Sequence, residues 1–159
     1  MIRVEQVQPG RNASTRAFLD LPFQIYGSVP VWVPPIRGEA RRQLDPRRNP
    51  FFRLSAAVLR LARRKRQAMG RLGILDNTNT KRFNRSKMAF FTLFECEDDP
   101  AAAEALFAAG FEWARSRGLT GLQGRRGFTL TPTLPLKGGG LGWGSISEGS
   151  DATARIISR

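Results

Sequence analysis

The stretch that most constrains the fold is residues 86–118, SKMAFFTLFECEDDPAAAEALFAAGFEWARSRG. Met88 to Phe94 is apolar nearly throughout, the pattern of a central strand covered on both faces. A run of acids, Glu97-Asp98-Asp99, separates it from a long amphipathic segment. Asp99 suits the N-cap of a helix, Pro100 its first position and Gly118 the left-handed residue beyond its end. Ala103, Leu106, Phe107, Phe111 and Ala114 supply a buried stripe, and Arg115 and Arg117 sit where the helix dipole prefers cations. Leu119 to Gln123 then opens another strand. Strand, acidic turn and helix in direct succession put any ligand that needs a helix N-terminus at residues 94–102.

The rest of the composition excludes several chemistries. The 159 residues suit one domain with a single core. There is no histidine and one cysteine, Cys96, so no zinc cluster can be assembled and the commonest general base is absent. A lone thiol forms no internal disulfide and fits a reducing cytoplasm. No window is apolar enough for a transmembrane helix, and the start lacks a secretory pattern. The net charge is +13, and residues 37–87 hold 16 lysines and arginines against 3 acids, which leaves 10 against 10 elsewhere. A charge excess confined to one stretch predicts one basic surface, open to nucleic acid or an acidic partner.

Along the chain, Ile2 to Val7 alternates as an opening strand closed by Pro9-Gly10. Asn12 or Ser14 caps a short helix, and Pro22 is expected to break or restart it before Tyr26. Val31-Trp32-Val33-Pro34-Pro35 is held extended by its prolines and reads as a segment laid across a core or cleft. Glu39 to Leu44 suits a helix, and Asp45-Pro46 and Asn49-Pro50 punctuate the chain after it. Ala56 to Ala62 reads as a strand, Arg63-Arg64-Lys65-Arg66 as the turn after it, and Ala68 to Leu75 as the strand that pairs back. Phe51, Leu54, Val58, Leu61 and Ala62 also fall at helical spacing, so periodicity alone leaves that stretch open. Asp76 to Ser86 is a polar loop. From Leu130 the chain is dense in Gly and Pro with no strand or helix period.

Several landmarks in order carry a family resemblance: Leu21-Pro22-Phe23 with Tyr26, Trp32-Val33-Pro34-Pro35, Asn49-Pro50-Phe51-Phe52, Gly70-Arg71, Phe90-Phe91 and Phe94-Glu95-Cys96-Glu97-Asp98-Asp99-Pro100. From Met1 to about Thr129 the chain resembles a bacterial group within the GNAT superfamily of N-acetyltransferases. The resemblance implies an α+β fold, mostly an antiparallel sheet with helices packed on it, and favours the strand over the helix at 56–62. It departs near Thr80 and Asn84, where relatives usually carry histidine. It departs again after Gly124-Arg125-Arg126-Gly127-Phe128-Thr129, beyond which relatives continue. Residues 130–144 look like the translation of a dispersed GC-rich bacterial DNA repeat. The domain division expected is thus a partial, incomplete GNAT-like domain over 1–129 and an irregular Gly/Pro-rich C-terminal tail over 130–159, truncated by an insertion and inactive for want of its C-terminal half.

The resemblance also implies acetyl-CoA as co-substrate and an amine as acceptor, with no metal. The cofactor would contact Phe94, Glu95 and Cys96 at the strand end and Ala101 and Ala102 at the helix N-terminus. Relatives cradle the pyrophosphate there on a glycine-rich loop, whose backbone approaches the phosphates closely. In this chain the turn has no glycine, Pro100 removes a donor and three carboxylates crowd the entrance. Each carboxylate about 5 Å from a phosphate charge repels it by roughly 3 kcal/mol at an effective dielectric near 20, more than half a unit of helix charge offsets. Basic side chains from 37–87 folded over the turn would change that balance. Glu95 and Glu97 are the candidate general bases for an amine; as a solvated strand end they would do nothing catalytic. Cys96 reads as a small buried apolar residue. Trp32 and Phe51-Phe52 read as packing rather than a ligand platform.

Overall fold

A computed structural model describes residues 1–78, 87–124, 129–132 and 143–144. The elements are β1 (Ile2–Val7), α1 (Ala13–Tyr26), α2 (Arg37–Leu44), a 3-10 turn (Pro50–Arg53), β2 (Ala56–Arg64), β3 (Gln67–Asp76), β4 (Met88–Cys96), α3 (Pro100–Ser116) and β5 (Gly121–Gln123). The fold is α+β. Strands β1 to β4 form an antiparallel meander, and β5 joins β4 in parallel after the α3 crossover. Two short strands, β6 (Thr129–Pro132) and β7 (Trp143–Gly144), extend the β5 edge. The remainder of 130–159, the loop positions Thr80 and Asn84, and residues 125–128 lie outside the described residues.

Two cores sandwich the sheet. Against α3 lie Val58, Ala62, Met69, Leu72, Ile74, Ala89 and Leu122, which pack on Ala102, Leu106, Phe107, Phe111 and Ala114. Against α1 and α2 lie Val7, Leu59, Leu61 and Ala68, with Phe18, Leu19, Leu21 and Leu44. The helical alternative at 56–62 fails because alternate residues of β2 feed both cores, which only a strand in mid-sheet can do. Asn12 caps α1: its Oδ1 accepts the Thr15 N–H at 2.7 Å. Asp99 caps α3, and Gly118 takes φ +70 just beyond it.

Five expectations need correction. Pro22 neither breaks nor restarts the first helix, which runs unbroken over Ala13–Tyr26, because Arg71 on β3 serves the carbonyl that the proline leaves without a donor. Arg63 and Arg64 belong to β2, so the turn is only Lys65-Arg66, with Lys65 at φ +56. At the start of the α3 stripe Ala102 is buried rather than Ala103. In β4 only Ala89 is fully buried, so the strand is half covered rather than enclosed on both faces. Across 31–36 only Trp32 turns inward, with its ring against Phe23 and Tyr26; Val31, Val33 and Ile36 stand in solvent.

Candidate functional site

Strand β4 and its junction with α3 organise the site. Met88, Ala89 and Phe90 pair with β5, and past Phe90 no further β4–β5 pair occurs among the described residues. β5 ends at Gln123, so on that edge the backbone of 91–96 has no strand partner among the described residues. β4 also carries a bulge: Arg71 faces Glu95 and Gly73 faces Thr92, so Leu72 stands opposite both Leu93 and Phe94. Leu93 takes φ +53 to make the extra residue, a conformation that costs a non-glycine residue about 1 kcal/mol or more.

The bulge reverses the alternation of the strand. Without it, residues 88, 90, 92 and 94 would share one face. With it, Phe94 and Cys96 turn toward α3, where Phe94 meets the Phe107 ring at 4.8 Å, and Glu95 turns toward α1. Beside Cys96, Gly70 has no room for a side chain: a Cβ would lie 2.8 Å from both Cys96 Sγ and Leu106 Cδ1. Burial, and then the nearby Asp99 and Glu97 charges, push the Cys96 thiol up to about 11. It is a half-buried group packed beside Gly70 and Leu106 rather than the buried one expected.

Beneath α1, Glu95 meets Arg71. Arg71 Nε donates to Glu95 Oε2 at 2.7 Å, and Arg71 Nη1 donates to the Phe18 carbonyl at 2.8 Å. That carbonyl is the one a residue-22 N–H would serve in an unbroken helix. Pro22 has none, and Arg71 fills the vacancy from β3, which is why the helix passes through proline intact. The guanidinium also lies over the Phe18 ring, 5.1 Å from its centroid. Burial lowers the Arg71 pKa while Glu95 opposes the shift. Burial raises the Glu95 carboxyl, and Arg71 pulls it partly back. Tyr26, at the end of α1, is raised by burial and then by the Glu95 charge, with smaller influences of Arg71, Cys96 and Glu97. Tyr26, Arg71 and Glu95 thus form one electrostatic cluster beneath α1, with Glu97 a lesser influence on Tyr26.

The acidic turn is partly satisfied, through Asp99 and the Glu97 backbone. Asp99 accepts the Ala102 N–H at its side chain, and its Oδ2 pairs with Arg64 Nη2 at 2.6 Å. Glu97 N–H donates to the Met69 carbonyl at 2.8 Å. Of the residues expected to hold a cofactor, Phe94, Cys96 and Ala102 pack against or within α3, Ala101 is exposed at its first turn, and Glu95 lies across the sheet. Arg64 from the basic stretch does reach the turn and neutralises one of its three carboxylates. Other members of that stretch are paired too: Arg37 with Asp20, Arg42 with Glu39, Arg48 with Asp45 and Arg63 with Glu5. No group of three or more His, Cys, Asp or Glu side chains among the described residues could hold a metal.

Sequence reasoning gave Tyr26 and Arg71 no role. A signal existed: a proline ten residues into a capped helix orphans a carbonyl, and an arginine in a core strand must find buried acceptors.

Two curated proteins align with the chain. A bacterial ceramide synthase of Caulobacter vibrioides (strain NA1000 / CB15N) is 32% identical over 109 residues, 68% of this chain and 28% of that protein. Protein YghO of Escherichia coli (strain K12) is 27% identical over 110 residues, 69% of this chain and 28% of that protein. The chain thus aligns with little more than a quarter of either. Among solved structures, a tandem GNAT protein from the clavulanic acid biosynthesis pathway superposes at TM-score 0.63 and 17% identity, over 85% of this chain and 38% of that one. The N-acyl amino acid synthase FeeM from uncultured soil microbes superposes at 0.54 and 13%, over 85% and 82%. An aminoglycoside acetyltransferase from a soil metagenomic sample superposes at 0.52 and 14%, over 79% and 80%. No protein-family profile matches the chain. These likenesses establish that the chain has the GNAT fold.

Proposed function

We propose that this GNAT-fold chain binds an acyl-CoA thioester along the β5-side edge of β4 and serves N-acylation of an amine. The observation that carries the reading is the bulge at Leu93 in a GNAT fold, beyond which the 91–96 backbone has no strand partner on its β5 side among the described residues. An extended chain with amide groups, such as the pantetheine arm of CoA, can pair with the backbone of 91–96 as an added strand does. The acyl carbonyl would then lie near Leu93 and the diphosphate near the N-terminus of α3. In the transfer, the amine nitrogen attacks the thioester carbon, the C–S bond breaks, the amine proton passes to a carboxylate and the CoA thiolate leaves.

We assign the proton-accepting role to Glu97 and a positioning role to Glu95, whose Oε2 is taken by Arg71. The names of the ceramide synthase and the N-acyl amino acid synthase favour donors longer than acetyl. Donor binding is weak in this chain, because Pro100 and the Asp99 cap remove helix donors and Glu97 and Asp98 add charge at the entrance.

Calorimetry with CoA esters from acetyl to palmitoyl tests the reading. Sub-millimolar binding of at least one ester is expected. Asp99→Asn keeps the cap and frees Arg64 for the phosphates. Removing one partly paired charge there is worth about 1 kcal/mol, so the variant should bind about fivefold more tightly. No binding of any ester at millimolar concentration, by either protein, would refute the assignment.

A further inference from the structure

The connection between α1 and α2 leaves all of its large apolar side chains but Trp32 exposed. Residues 21–36 contain no charged side chain. Their last part turns twice, with the Val29 N–H on the Tyr26 carbonyl at 2.9 Å and the Trp32 N–H on the Val29 carbonyl at 3.1 Å. Trp32 points inward onto Phe23 and Tyr26, and Arg37 closes the loop by lying over the Phe23 ring, 3.9 Å from its centroid. With Trp32 as the inward anchor, its neighbours point out: Val31 is 87% exposed, Val33 84% and Ile36 74%. Pro30, Pro34 and Pro35 limit the freedom of the loop, so little entropy is left to lose on binding.

The next segment of the chain is strongly basic. Between residues 37 and 53 stand six arginines, 37, 41, 42, 47, 48 and 53, against two acids, Glu39 and Asp45. All six arginines are exposed. Arg37 is held by Asp20 and the Phe23 ring, whereas the other pairs are long, at 3.8 Å for Arg42–Glu39 and 3.6 Å for Arg48–Asp45, and surface pairs of that kind contribute little. An uncharged, proline-stiffened apolar loop bordered by exposed arginines is complementary to an anionic bilayer surface. The apolar side chains enter the headgroup boundary and the guanidinium groups meet lipid phosphates.

We propose that the 28–36 loop, with the arginines of 37–53, docks the protein on the surface of anionic phospholipid membranes. The docking adds no spanning segment: no helix among the described residues is long and apolar enough to cross a membrane. It rests on exposure and charge at the α1–α2 connection and is independent of the acyl-CoA assignment at β4.

The test is flotation of the full 159-residue chain with phosphatidylcholine vesicles, with and without a third of phosphatidylglycerol, at two salt concentrations. Co-flotation with the anionic vesicles is expected, with little on neutral ones and less at high salt. The double variant Val31→Asp, Val33→Asp should lower the bound fraction at least about tenfold with an unchanged melting temperature, because both sites are solvent-exposed in the free protein. Arg41→Glu, Arg42→Glu should lower it by a similar factor. Three results would overturn the proposal: no binding to anionic vesicles, binding that the valine variant leaves intact, or a wild-type dimer that the valine variant dissociates. The last would mean that a second copy covers the loop.

Discussion

Substitution of Arg71 probes both the passage of α1 through Pro22 and the support of Glu95. Arg71→Met keeps most of the apolar stem and deletes two hydrogen bonds. The first leaves the buried Phe18 carbonyl without a donor, a penalty of about 1–3 kcal/mol. The second strips the countercharge from Glu95. Breaking a buried pair costs about 3–5 kcal/mol, discounted here because the Glu95 side chain keeps 23% exposure and can recruit water. Together these predict a loss of roughly 3–4 kcal/mol, a large share of the about 5–15 kcal/mol that holds a domain folded. Pro22→Ala supplies the missing N–H to the same carbonyl. Alone it should change stability by no more than about 1 kcal/mol, because Arg71 already serves that oxygen and relieved ring crowding partly cancels lost rigidity. Combined with Arg71→Met it should restore the carbonyl component, so that the double variant is about 1–2 kcal/mol more stable than the sum of the single effects predicts. Urea unfolding followed by tryptophan fluorescence measures all four corners, with Trp32 close to the perturbed helix. Additivity within about 0.5 kcal/mol would refute the claim that Arg71 substitutes for the proline's missing donor.

The Cys96 thiol, raised to about 11, should react with a disulfide reagent at pH 8 at least about 100-fold more slowly than a free cysteine, whose thiolate fraction there is roughly a quarter; a rate within tenfold of the free thiol would contradict its burial. Gly70→Ala drives a methyl against Cys96 and Leu106 and should destabilise by about 1–3 kcal/mol, read as a lowered urea midpoint; an unchanged midpoint would show that the helix yields at no cost. Burial by itself would raise Glu5, but hydrogen bonds from Arg63 and Ser14 and the Arg63 charge bring its carboxyl below the usual value. The unfolded state then binds more protons in that window, so the stabilisation is present above the ordinary carboxylate range and is lost as pH falls through the folded value. Glu5→Gln should therefore flatten the acid limb of the stability profile, and an acid limb identical to wild type would remove Glu5 as its source.

Legible in the sequence were the features that depend on a few neighbouring residues. The ends of α3 were legible because Asp99, Pro100 and Gly118 do their work within one helical turn. The β2–β3–β4 order was legible up to the helical alternative at 56–62, which the family resemblance decided and periodicity did not. Features that depend on a partner far along the chain were not legible. β4 looked uniformly apolar, yet a single left-handed residue at Leu93 exchanged the faces of everything after it. The acidic turn looked repulsive, and Arg64, 35 residues away in sequence, pairs with one of its carboxylates. Pro22 looked like a helix breaker because its remedy, Arg71, lies on another element.

The same partner relation recasts the sequence landmarks. Leu21-Pro22-Phe23, Gly70-Arg71 and Phe94-Glu95 entered as three separate matches to a family pattern. In the fold they are one hydrogen-bonded object: Pro22 orphans a carbonyl, Arg71 serves it, and Glu95 balances the arginine. Neighbouring residues complete the geometry, since Gly70 lets Cys96 and Leu106 close on β3 and the bulge at Leu93 aims Glu95 at the guanidinium. A proline in this helix therefore demands an arginine in that strand, and the arginine in turn demands an acid just beyond a bulge. The bulge that satisfies this internal need lies just beyond the last described pair of β4 with β5, so one packing solution both stabilises α1 and shapes the edge proposed to receive an acyl donor.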